Sequence, residues 1–180
     1  MKIMGTLILA SAALAACNPQ PSGRAAPTPT PAPAGVPPLN ITGHGTAHAP
    51  VRTFEQAGNR KVYELLARSY VSHSARNVAQ AKFQQATVTF YDKDGTSLTA
   101  QAPQASVDER TKQVALTGGV HARTTTGATL TCDNLTYDRA TGLLRGNGNV
   151  RMTADQNGSR EILTGNAFTS DIKLTRMVMK

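Results

Sequence analysis

The chain contains no tryptophan, and only 4% of its residues are aromatic. A large core built on aromatic rings is therefore not expected. Two cysteines are too few for a disulfide framework. No apolar run reaches the roughly 18 residues that a membrane-spanning helix needs. Acidic residues are missing altogether before Glu55, and proline almost vanishes after Pro50, leaving only Pro103. Four histidines and scattered carboxylates form no Ser/His/Asp or metal-ligand constellation. The chain is accordingly expected not to be an enzyme and to carry no cofactor and no metal. A nucleic-acid partner is not expected either.

What remains is a 180-residue basic chain, 19 Lys and Arg against 11 Asp and Glu, of a length that fits one domain plus extensions. Residues 1–16 have the grammar of an export signal: Lys2, an apolar stretch from Ile3 to Leu14, then small residues. Leu14-Ala15-Ala16-Cys17 resembles a bacterial lipobox, in which Cys17 is lipidated and becomes the mature N-terminus. An ordinary signal peptide followed by a chance cysteine is the alternative. Lipidation would hold the protein at a membrane, since two or more acyl chains anchor stably. Asn18 is not the Asp that retains enterobacterial lipoproteins in the inner membrane, a rule that does not extend to all bacteria.

Residues 17–50 then read as the lipidated cysteine and a disordered linker. All but one of the ten prolines lie here, and Arg24 is its only charged residue. Such a segment buries too little apolar surface to fold, and it extends at about 3.1 Å per residue. His44 and His48 have a helical i,i+4 spacing, but Gly43, Gly45 and Pro50 argue against a helix and hence against a metal site.

From residue 51 to 180 the pattern changes to strands. Ala86 to Tyr91 and Gln113 to Thr117 alternate apolar and polar residues, the period of a half-buried strand. Turn signals recur at Asp94-Gly95, Gly118-Gly119, Thr141-Gly142, Gly146-Asn147-Gly148 and Asn157-Gly158. Asp92-Lys93-Asp94-Gly95 only faintly resembles a calcium loop, because Pro103 stands where the bidentate Glu belongs, and it reads as a hairpin turn. An internal repeat is present: Val107-Asp108, Thr111, Val114, Gly118 and Val120 return thirty residues later as Tyr137-Asp138, Thr141, Leu144, Gly148 and Val150. Repeated antiparallel units of this kind stack one on the next. In each Asp-x-x-Thr turn the carboxylate can bond the backbone two residues on. Residues 61–73 stay open between helix and strand.

The run from Tyr137 to Val150 resembles the repeat of the lipopolysaccharide-transport β-folds, the OstA-like group. The order of the whole domain is similar to the LptC family, the periplasmic component of the lipopolysaccharide export transporter. The matching pieces are Tyr63-Glu64-Leu65, Asp94-Gly95, Val107-Asp108, Leu116 to Val120, Gly127 to Thr131, Leu135 to Asp138 and Gly148-Asn149-Val150. The resemblance covers roughly residues 58–180. It departs from most members at the N-terminus, where a lipobox and a proline-rich tether replace a membrane helix.

The resemblance implies an all-β fold, an antiparallel β-jellyroll or V-shaped β-trough of stacked strand-turn-strand repeats. Its interior would carry lipopolysaccharide acyl chains from the inner-membrane transporter subunits to a β-jellyroll partner bridging the periplasm. The chain would then be a periplasm-facing lipoprotein of a Gram-negative-type envelope, the inner membrane favoured over the outer. By alternation the groove lining would be Val88, Phe90, Leu98, Ala100, Val114, Leu116, Val120, Leu130, Cys132, Tyr137, Leu144, Val150, Met152 and Leu163. The same residues would equally serve as the core of a closed sandwich. Arg52, Arg60, Lys61, Arg68, Arg76 and Lys82 would either pair with lipid phosphates or form a solvated basic face. The stretch from Ile172 to Lys180 reads as an edge strand for partner docking, through Ile172, Leu174, Arg176 and Val178. Cys132 reads as a buried, inert thiol. The alternative function is an envelope lipoprotein whose β-domain is structural or binds protein.

Overall fold

The computed structural model describes residues 39–75, 78–156 and 159–180. The signal segment, Cys17, most of the proline-rich linker and the Asn157-Gly158 turn lie outside the described residues.

The domain is all-β, as expected: eleven antiparallel strands form a single sheet that does not close into a barrel. In chain order they are β1 (Leu39–His44), β2 (Val51–Ala57), β3 (Arg60–Ala67), β4 (Ser69–Ala75), β5 (Val78–Tyr91), β6 (Ser97–Asp108), β7 (Gln113–Thr124), β8 (Thr129–Asp138), β9 (Leu143–Gln156), β10 (Ser159–Ser170) and β11 (Val178–Met179). Residues 61–73, open between helix and strand in the sequence, belong to β3 and β4. β1, Leu39–His44, lies inside the stretch read as linker. Its alternating Leu39 and Ile41 were masked by the prolines just before them. Among the described residues no helix is long and apolar enough to cross a membrane.

The long strands from β5 to β10 form a meander, each bonded to its neighbours in sequence. The register shifts part-way along every ladder from β6–β7 to β9–β10. These bulges line up across the sheet through Pro103, Gly118-Gly119, Asp133, Gly148-Asn149 and Asn166 and crease it. Gly118, Gly119, Gly148 and Asn149 all have positive φ, at 91°, 95°, 75° and 49°. A proline fits at the crease because no ladder bond is required of it there. Gly118-Gly119 and Gly146-Asn147-Gly148 are thus not turns. They sit inside β7 and β9 and bend them. The true reversals at Asp108 and Asp138 behave as the repeat predicts: Asp108 Oδ1 accepts from the Arg110 and Thr111 amides, Asp138 Oδ1 from those of Ala140 and Thr141. Lys112 and Gly142, thirty residues apart, take the left-handed conformation that ends each turn.

The crease divides the sheet into two leaves. The first holds β1, β4, the start of β5 and the end of β6; the second holds β2, β3, the end of β5 and the start of β6, and so on across the meander. β5 pairs with β4 along its first half and with β3 along its second. Side chains on the inner faces meet between the leaves, as Phe90 and Tyr137 do with ring centroids 4.6 Å apart. Leu65, Val88, Phe90, Leu98, Val114, Leu116, Leu135 and Leu144 are wholly buried there. Each contributes roughly 1.5–3 kcal/mol by leaving water.

Candidate functional site

Val88, Phe90, Leu98, Ala100, Val114, Leu116, Val120, Leu130, Cys132, Tyr137, Leu144, Val150 and Met152 are all buried between the leaves. Leu163 lies opposite Met152 and so faces inward, yet it is 42% exposed, because this half of β10 is the margin of the sheet. Sequence reasoning missed Leu65, Phe83, Leu135 and Phe168, which are equally buried. An alternation signal was present for them, as in Ala81/Phe83 and Leu135/Tyr137.

The middle of this interior is not an empty slot. Its side chains have no contact with solvent and close against one another. Space and exposed apolar surface lie instead at the margins. β1 and β2 have one bonded neighbour each among the described residues, and Leu39 and Ile41 of β1 are 57% and 43% exposed. Their register opposite Ser74 and Ser72, which lie beside Ala79 and Ala81, puts them on the inner face. Next to them a cleft of about 260 Å³ opens between the leaves, lined by Thr53 and Tyr63 from the second leaf and by Ser72, Ala81, Phe83 and Val107 from the first.

At the far end of that cleft stands Arg139, in the β8–β9 turn, its side chain only 3% exposed. It donates to Glu55 of β2 and, at 3.1 Å, to Glu109 of the β6–β7 turn. A further bond reaches the Asp108 carbonyl at 3.2 Å, and the guanidinium lies 5.8 Å from the Tyr63 ring centre. Burial alone would weaken this cation's hold on its proton, but the bonds to Glu109 and Glu55 outweigh it and raise its pKa. Arg139's bond holds the Glu109 carboxyl below its ordinary range, and burial pushes the Tyr63 phenol up to about 12. Glu109 and Arg139 are the same position of two successive repeats, a pairing visible in the sequence once the thirty-residue offset is known. Glu55 is 84 residues from Arg139 and carried no local signal.

The opposite margin is capped along the second half of β10 only. Only Val178–Met179 of the expected terminal strand is a strand, paired to Phe168 and Thr169. Asp171 Oδ1 accepts from the Thr175 amide and turns the chain, so Ile172 and Leu174 fold under the sheet and are buried. Ile172 and Leu174 are therefore core residues and not a docking edge. Arg176 and Val178 are exposed. Lys173 reaches from this segment to Asp92 and Asp94 in the β5–β6 turn, at 3.5 and 2.5 Å.

The basic residues do not converge. Arg52 and Lys61 are bound to Glu64, whose carboxyl is lowered first by the Lys61 bond. Lys82 points away from the interior, and Arg76 lies outside the described residues. His44 and His48 are exposed, and the described residues hold no group of three or more metal-type ligands. Burial pushes the Cys132 thiol up to about 12, helped by the Asp133 carboxylate.

An open antiparallel sheet, creased across its middle and apolar on its inner face, defines the class: a β-jellyroll or trough. The lipopolysaccharide-assembly, LptC-related family model matches residues 46–180, and the chain belongs to that family. Membership makes it a component of lipopolysaccharide transport, facing the periplasm in a Gram-negative envelope, with lipopolysaccharide and the transport complex as its partners in general. No curated protein matches the chain.

Proposed function

We propose that the domain shelters lipopolysaccharide acyl chains against the inner face of its sheet. It takes them from the inner-membrane transporter subunits and passes them to a periplasmic β-bridge. The observation that carries this reading is an apolar inner face, packed in its middle, that comes out into the open at the margins, at Leu39 and Ile41 on one side and at Leu163 on the first half of β10. Acyl chains enter at a margin and gain roughly 25 cal/mol per Å² of apolar area they bury. The unpaired margins of β1, β2 and the first half of β10 are surfaces on which a partner's strand can continue the sheet. Cys17 carries the lipid anchor that keeps the domain beside its membrane, the inner one by this reading.

Photo-crosslinking tests it. A benzophenone side chain at Leu39, Ile41 or Leu163 gives adducts with lipopolysaccharide, whereas one at the outward-facing Arg123 does not. Adducts with protein alone at all three inner positions would leave a structural, protein-binding module as the function. Mass spectrometry of the mature N-terminus in the same cells finds a diacylated Cys17; an unmodified terminus removes the anchor.

A further inference from the structure

The two leaves are joined along the crease and meet again at their far ends. The crease is a row of bulges, where ladder bonds are interrupted and the chain takes positive φ at Gly118, Gly119, Gly148 and Asn149. At the far ends the contacts are ionic. Lys173 with Asp92 and Asp94 is solvent-exposed and contributes little. Arg139 is different. It is the one strongly buried charge in the ion pairs among the described residues, and it bridges the leaves, holding Glu109 of its own leaf and Glu55 of the other.

Its Nε–H is buried and has no partner. An unpaired buried donor costs free energy, and so does the desolvation of the charge itself. Both costs disappear when the guanidinium is hydrated. The closed arrangement is thus held by two carboxylates and opposed by an orphaned donor, as a releasable contact requires. It lies beside the cleft lined by Thr53, Tyr63, Phe83, Val107 and Glu109, which both leaves border.

We propose that Arg139 is the catch of this mouth: while it holds Glu55 and Glu109, β2 and β3 stay down on the first leaf, and when it lets go the cleft opens to an acyl chain. The catch rests on the acyl-chain reading for its purpose, but its operation is tested without lipid.

The test uses the full chain with Cys17→Ser and a reporter thiol from Val107→Cys, which lines the cleft and is 6% exposed as valine. Cys132, 4% exposed and far along the sheet in β8, is the internal control. Iodoacetamide labelling of each thiol is followed by peptide mass spectrometry. Glu55→Gln with Glu109→Gln leaves the buried cation uncompensated, and labelling at position 107 accelerates at least about tenfold while Cys132 stays protected. Arg139→Met removes the bridge from the other side and leaves Glu55 and Glu109 with no cation between them, so labelling at 107 accelerates there as well, again with Cys132 protected. The proposal is overturned if both thiols speed up together, which means only global unfolding exposes them, or if labelling at 107 stays as slow as in the parent protein in either variant. If the catch behaves as stated and lipopolysaccharide still fails to crosslink at Ile41, the transport reading is what has failed.

Discussion

Replacing Phe90 by Ala separates a filled interior from a slot kept vacant for lipid. Phe90 has no exposed surface, and its ring lies 4.6 Å from that of Tyr137 on the opposite leaf. If the leaves are packed, the truncation loses the transfer energy of the ring and leaves a hole that the bent sheet cannot close, together about 3–5 kcal/mol. The aromatic pairing is worth about 0.5–1.5 kcal/mol of contact besides area, so about 4 kcal/mol is a fair centre. With a urea slope of about 2 kcal/mol per molar, the midpoint falls by roughly 2 M. Urea titration by circular dichroism of wild type and Phe90→Ala measures it, with Phe90→Leu as a milder partner if the alanine variant is too unstable to purify. In an open slot the ring would already border empty space, and its removal would create no new cavity. A midpoint shift below roughly 0.5 M, about 1 kcal/mol, refutes the packed interior.

Two other outcomes follow from single contacts. Asp94 is held down to about 2, first by the bond from Lys173 and then by the Thr96 amide. A carboxyl depressed in the folded state stabilises above its unfolded value near 3.8 and stops doing so as pH falls through about 2. Lys173→Met should therefore raise the Asp94 titration seen by carboxyl NMR toward 3.8, and an unmoved titration would mean that the bond does not form in solution. Gly146→Ala places a methyl group against the Phe168 ring, which lies across that glycine. Overpacking of this kind costs about 1–3 kcal/mol, and a thermal midpoint equal to wild type would show that Phe168 lies elsewhere.

Strand positions were legible because alternation is a local property with a period of two. That alone put Phe90, Leu116 and Leu144 on the inner face. The Asp108 and Asp138 turns were legible for a similar reason, since one side chain bonds amides two and three residues on. The bulges were not. A positive-φ glycine pair looks the same whether the chain reverses or bends, and only the ladder on either side of Gly118-Gly119 decides for a bend. Ile172 and Leu174 alternate like strand residues, and what removes them from a strand is the Asp171 carboxylate gripping Thr175. Arg139 showed as an ordinary charged turn residue. Its importance comes from Glu55, brought to it by a leaf folding over, a non-local event that local sequence does not encode.

A packed interior limits how an acyl chain can get in. Eight large side chains are wholly removed from water between the leaves. Exposing them all at once would cost more than about 12 kcal/mol at the lower end of the usual scale, which is comparable to the 5–15 kcal/mol that stabilises a whole domain. Parting the leaves along their full width is therefore close to unfolding. Lifting one margin is far cheaper, because Thr53, Ser72 and Ser74 there are already partly wet and hydroxylic, and a lipid tail entering behind the lifted strand replaces the lost contacts as they break. The energetics favour entry strand by strand from a margin. They also explain why the charged catch sits at the margin: deeper in the sandwich, an arginine between two carboxylates would face a desolvation cost with no nearby water to relieve it when the contact broke.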